Sequence, residues 1–325
     1  MTGRVRLSLL LLALFSLQGC GEGGGRRQFM SIGTAGTGGI YYPIGGALAS
    51  RLSVADSARQ YTAEVTGGSV ENVNRMVNGQ MDLAFALPVT IYEAYHGGTE
   101  AFPQPVQALR VLSPLYANLT HILVGPGSSV SSITEFKGLR VAVGPPGSGT
   151  EQIAKQVLEA HGVSYEDIDV RYLSFAEAAA ALKDRALDAA IISVGYPASA
   201  VLDATTTGDA RLIAVDSLAA AALIAEHPYY SWDVIPAGAY PGQAADLLTV
   251  AQMNWIVALE TLPDDVVDKL LTIVTQDRPA LARVHPMAGQ IDLSRLATAP
   301  IPRHAEVDRW MEAHPDAAQP PVKTP

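Results

Sequence analysis

Thr37, Tyr41, Ser69, Asn72, Ser148 and Thr150 are short-range neutral hydrogen-bond donors, and each stands within a few residues of a glycine: Gly38, Gly68, Gly147 or Gly149. Glycine lets the backbone bring its own N–H groups close to a bound molecule without a Cβ in the way. Neutral donors of this kind, at the start of helices, hold a carboxylate by charge-assisted bonds without an arginine. Equipment for catalysis is absent from the same segments. Ser69 and Ser148 follow glycines but neither lies in Gly-x-Ser-x-Gly, and the seven histidines, at 96, 121, 161, 227, 285, 304 and 314, show no constrained spacing to an acid. The run Gly144-Pro-Pro-Gly-Ser-Gly-Thr150 lacks the lysine of a phosphate-cradling loop, and Ile40 and Tyr41 after Gly38-Gly39 break the dinucleotide pattern. No His-x-x-x-His pair or cysteine cluster points to a metal. The residues therefore predict binding rather than catalysis, with no cofactor and no metal.

The elements around these loops read as alternating strand and helix. A short strand precedes the first glycine loop, and Pro43 suits the first turn of the helix after it. Strand-length apolar runs at Tyr61–Thr66, Met81–Leu87 and Leu139–Val143 alternate with helical patterns at Ser69–Asn78, Val89–His96 and Thr150–His161. Two extended segments, Leu109–Tyr116 and Leu119–Val124, follow each other, and a domain crossover is placed there. Met76–Phe85 is echoed by Leu182–Ile191: each ends a helix, places an aspartate (Asp82, Asp188) and starts an apolar strand. Pro263–Val284 reads as helix. The prediction is an α/β protein of two lobes joined by two crossovers, a hinged clamp with its ligand in the cleft. Lobe 1 takes residues 29–116 and 217–316, and lobe 2 takes 117–216. Gly195 and Tyr196, after the strand ending at Ser193, are placed at the cleft, and Tyr240 at its rim. Tyr42, unlike Tyr41, reads as a core residue.

Arg4 and Arg6 precede an apolar run from Leu7 to Leu17 that is too short to span a bilayer, followed by Leu17-Gln-Gly-Cys20. This layout is that of a secretory signal over residues 1–19 with a lipidated Cys20, then a glycine-rich tether over 20–28. Cys20 is the single cysteine, so an intrachain disulfide is excluded. Cleavage before it removes two arginines and no acid, taking the net charge from −10 to −12. An acidic chain of this kind is a poor partner for nucleic acid. The proline-rich end, 317–325, is expected to be disordered.

Four blocks, Gly36-Thr-Gly-Gly-Ile-Tyr-Tyr-Pro43, Thr66-Gly-Gly-Ser-Val-Glu-Asn72, Val143-Gly-Pro-Pro-Gly-Ser-Gly-Thr150 and Pro236-Ala-Gly-Ala-Tyr-Pro-Gly242, resemble in order the TAXI family of TRAP-transporter solute-binding proteins, over about Phe29 to Trp310. Near the C-terminus Ile301-Pro-Arg-His-Ala-Glu306 departs from that family's usual Pro-Leu-His-Pro-Gly-Ala. The resemblance implies a type II-like periplasmic binding protein: a lipid-anchored, monomeric extracytoplasmic receptor. It would present a dicarboxylate or an acidic amino acid to TRAP permease subunits driven by an ion gradient. A ligand sensor of the same fold, signalling to a membrane partner, is the alternative from another class. For the leader, intact mass after expression in a bacterial host should show a chain starting at Cys20 with diacylglycerol and acyl additions. An unmodified thiol on a chain cut elsewhere contradicts the lipoprotein assignment.

Overall fold

The computed structural model describes residues 27–318; Cys20, the leader, most of the tether and most of the C-terminal tail lie outside them. In chain order the elements are β1 (Gln28–Gly33), α1 (Tyr41–Ala55), β2 (Arg59–Glu64), α2 (Ser69–Val77), β3 (Leu83–Ala86), α3 (Pro88–His96), β4 (Leu109–Val124), β5 (Arg140–Ala142), α4 (Gly149–Ala160), β6 (Asp169–Arg171) and α5 (Phe175–Lys183). There follow β7 (Ala189–Val194), α6 (Ser199–Thr206), β8 (Arg211–Ile213), α7 (Ser217–Glu226), β9 (Tyr230–Ile235), β10 (Leu247–Leu259), α8 (Asp264–Gln276), α9 (Arg278–Val284) and α10 (Ala305–Ala313). The strands form one sheet in the order β2-β1-β3-β10-β4-β7-β5-β6, with β8 beside β4 and β9 beside β10. β1 to β3 and β5 to β7 pair in parallel, while β4 and β10 run antiparallel to their neighbours and join the two sets.

The two extended segments expected between Leu109 and Val124 are one 16-residue strand. Ala117 and Asn118, between them, pair with Met253 and Gln252 of β10, so pairing spans the junction, with register shifts at Met253/Trp255 and Ile256/Val257. The boundary expected at 116/117 thus falls inside a strand. One hydrophobic cluster runs from Ile32 and Phe85 through Trp255 to Ile192 and Val201, and a second gathers Ile122, Val143, Ile153, Ile191 and Val250.

The expected echo is present and has a physical cause. The Asp82 carboxylate accepts the Ser31 N–H at 2.7 Å, and that of Asp188 accepts the Arg140 N–H at 2.9 Å. Each aspartate ties the turn before one strand to the parallel strand beside it. The helix expected over Pro263–Val284 is divided at Asp277, because Pro279 has no N–H for the helical ladder. His304 caps α10, accepting the Glu306 N–H at 3.2 Å, and its Nε2 lies 3.1 Å from the Glu260 carbonyl. The divergent segment is therefore docked on the sheet, where Val111 bridges Arg303.

His121 of β4 is fully buried. Its Nδ1–H donates to the Leu119 carbonyl at 2.9 Å, so Nε2 is free to accept from the Tyr240 hydroxyl at 3.0 Å. Tyr240 accepts the Ala198 N–H at 3.1 Å, beside the cis Tyr196–Pro197 bond. Burial pushes the imidazole pKa down to about 4. Between that value and the ordinary 6.5 or so, the unfolded chain holds the proton and the folded one does not, so stability falls as pH falls through this window. The unfolding free energy of wild type relative to His121→Gln should change by about 3 kcal/mol between pH 7 and pH 4 in urea titrations. A difference that does not vary with pH contradicts this.

Candidate functional site

A cavity of about 400 Å³ lies where the starts of α1, α2, α4 and α5 converge over β4 and β7. Its walls come from 35–41, 65–69, Pro145 with 148–150, and 174–176, with Leu87, Tyr116, Asn118, Ser193 and Val194 contributing from the sheet side. The loops at 66–69 and 145–149 are in contact. The Glu71 N–H of α2 donates to the Gly147 carbonyl at 3.0 Å, and a Cβ on Gly67 would stand 2.6 Å from the Pro146 oxygen. One on Gly149 would stand 2.8 Å from Leu87 Cδ1 and 2.9 Å from Ser69 Oγ. Approach this close requires glycine on both sides.

The hydroxyls along the loops are arranged alike. Ser69 Oγ accepts the Leu87 N–H at 3.1 Å, Ser148 Oγ the Glu151 N–H at 3.1 Å, and Ser174 Oγ the Glu177 N–H at 3.3 Å. Each oxygen is held by an amide; the Ser69 hydroxyl also engages Tyr41 and the Ser174 hydroxyl the Glu177 carboxylate, so of the three it is Ser148 whose proton is left to donate. None of the residues lining the cavity carries a formal charge. Glu71, Glu151 and Glu177, in the first turns of α2, α4 and α5, lie outside the lining. Arg75 is engaged by Glu64 and Glu71, and Arg171 by Asp169, away from the cavity.

Of the residues singled out in the sequence, Thr37, Gly38, Tyr41, Gly68, Ser69, Ser148, Gly149 and Thr150 line the cavity together. Asn72 does not. Its amide donates to the Thr34 and Phe85 carbonyls at 2.8 and 2.9 Å and its oxygen accepts from Thr66 at 2.7 Å, so it braces the loop from beneath. Gly147 serves through its carbonyl on Glu71, outside the lining. Gly195 backs onto Ile40 and Met287, where a Cβ would stand 2.8 Å from Ile40 Cδ1. Tyr196 precedes the cis proline, and Tyr240 is buried against His121; neither reaches the cavity, so the rim position expected for Tyr240 is corrected. Tyr42, read as core, is 38% exposed, while Tyr41 is buried.

Sequence reasoning missed the sheet side. Asn254 of β10 is fully buried, and its amide donates to the Tyr116 carbonyl at 2.7 Å and to Asn118 Oδ1 at 2.8 Å, while its oxygen accepts from the Tyr41 hydroxyl. Asn118 in turn donates to the Ser193 carbonyl at 3.0 Å. Tyr41 thus spends its proton inside the protein, and burial holds its phenol far above the ordinary pKa, with Ser69 acting in the opposite sense. On the other face of the same strands Met253, Trp255 and Ala117 line a second cavity, of about 500 Å³. No signal marked Tyr116, Asn118, Ser193 or Asn254, which sit in apolar runs and are placed only by register.

Among the described residues no group of histidines, cysteines or acids is placed to hold a metal, and no helix is long and apolar enough to cross a membrane. Replacing Asn254 by leucine would leave the Tyr41 hydroxyl, the Tyr116 carbonyl and Asn118 Oδ1 buried without partners. Chemical denaturation should show a loss of about 2–4 kcal/mol for Asn254→Leu. A loss below about 0.5 kcal/mol, the range of neutral surface changes, removes this network from the account.

Three solved structures align with most of the chain. A Bordetella bronchiseptica RB50 protein is 13% identical over 89% of this chain and 98% of its own, with a TM-score of 0.57. A structure described as a periplasmic transporter is 14% identical over 90% and 95%, with a TM-score of 0.52. The alkanesulfonate-binding protein of Xanthomonas axonopodis pv. citri, solved with MOPS, is 18% identical over 87% and 83%, with a TM-score of 0.46. The chain has the mixed α/β fold of periplasmic solute-binding proteins. The TAXI assignment, and with it the TRAP permease as partner, is corrected: the matching family model is the NMT1-like one, over residues 32–310. Three of the four blocks behind that resemblance are loops entering α1, α2 and α4, and the fourth is the turn between β9 and β10; such features report scaffold rather than transporter class. The chain belongs to the NMT1-like family.

Proposed function

We propose that this protein is an extracytoplasmic receptor that captures a small organic anion in the 400 Å³ cavity and delivers it to a membrane importer. The observation that carries this reading is the composition of the cavity wall: hydroxyl-bearing side chains and four helix N-termini, with no charged side chain. Helix N-termini carry partial positive charge and stabilise an anion where no cation is present. The fold and the family match support a receptor rather than an enzyme. In this account residues 29–116 with 217–316 and residues 117–216 act as two lobes that part to admit the solute and meet at the glycine loops. Cys20 would keep the receptor at a membrane surface as a monomer.

Titration calorimetry with acetate, succinate, glutarate and taurine, and with glucose and putrescine as neutral and cationic controls, tests the reading. At least one of the four acids should bind and neither control should. Ser69→Ala and Thr150→Ala should each weaken that acid roughly ten- to a hundredfold, the cost of one donor to a charged acceptor, while Arg171→Ala changes nothing. Binding of a control, or a loss confined to Arg171→Ala, contradicts the proposal.

A further inference from the structure

Tyr116 is fully buried and Ser193 is 3% exposed; both line the cavity, and neither the Tyr116 hydroxyl nor Ser193 Oγ has a hydrogen-bond partner. Their neighbours are engaged: Asn118 is held by Asn254 and Ser193, Tyr41 by Asn254, and the loop serines by backbone amides. Both oxygens are closed off from solvent; an orphaned buried hydroxyl is costly, and two of them on residues of one cavity wall, among satisfied groups, are positioned to gain a partner when a ligand packs against that wall. Both come from the sheet, Tyr116 from β4 and Ser193 from β7, so they lie apart in sequence from the glycine loops.

The surrounding charge selects the ligand's chemistry. The starts of α1, α2, α4 and α5 face the cavity, and no carboxylate lines it. Glu71, Glu151 and Glu177 of the first turns stand outside the wall, so a buried ammonium would meet helix starts and no lining carboxylate to pair with, whereas a carboxylate or sulfonate oxygen meets donors. We infer that Tyr116 and Ser193 are ligand-contacting specificity residues that donate to oxygen atoms of an organic acid carrying no ammonium group. This inference rests on the receptor reading and sharpens it, separating plain organic acids from acidic amino acids.

The test uses glutarate and L-glutamate, which share a skeleton and differ by the α-ammonium. Wild-type protein should bind glutarate at least roughly tenfold more tightly than L-glutamate by calorimetric titration. Tyr116→Phe and Ser193→Ala should each weaken glutarate roughly tenfold. The ligand-free variants should melt at the wild-type temperature or above it, because an unsatisfied buried hydroxyl has been removed. A purely structural role predicts the reverse, a lower melting temperature with glutarate affinity unchanged, and that result overturns the inference. So does L-glutamate binding as tightly as glutarate. If taurine, which carries an ammonium group, binds while glutarate, succinate and acetate do not, the receptor reading stands and this class assignment falls. If no solute of any class binds, the receptor reading falls with it.

Discussion

Asn254 is the point on which the rest of the site depends. A side-chain amide has two donor protons and one oxygen, and here all are spent within the protein, on Tyr116, Asn118 and Tyr41. Those partners belong to β4 and to the first turn of α1, so a single buried group sets the spacing between the sheet and the helix that opens the cavity. Side chains alternate across a strand, so Asn254 lies beneath Tyr41 and Asn118, which line the loop-bounded cavity, while Met253 and Trp255 line the one behind. The ladder between β10 and β4 shifts register between Met253 and Trp255, at this same point.

Above this floor the glycine loops supply what the sheet cannot. Strands use their backbone N–H groups on one another, so N–H groups for a ligand must come from helix starts. Convergence of four helix starts requires the loops to pass within van der Waals distance, which the glycines at 67 and 149 allow. Asn72, beneath the loop, explains why that backbone can stand close to α4 without collapsing: its three hydrogen bonds tie Thr34, Thr66 and Phe85 into one unit.

The loops were legible in the sequence because their chemistry is local. Glycine, serine and threonine before an apolar helical pattern have one structural use, and eight of the residues so chosen line one cavity. The alternation of strand and helix, and the Asp82 and Asp188 turns, were legible for the same reason. The sheet side was not. Tyr116, Ser193 and Asn254 are separated by up to 138 positions and meet through strand order and register, which a window of sequence does not encode. Tyr240 misled because Tyr-Pro-Gly reads as an exposed turn, whereas its hydroxyl is drawn inward by His121 and the Ala198 N–H. Transporter class was the least legible property. It belongs to the membrane partner, and loop motifs on a shared scaffold do not record it.

The account makes the cavity a place for a small organic acid bound by neutral donors. Mass spectrometry of whatever is released when natively purified protein is denatured tests that most directly. The account predicts a near-stoichiometric small organic acid that bears no amino group. A cationic or uncharged solute, or a protein that carries and takes up nothing, contradicts it.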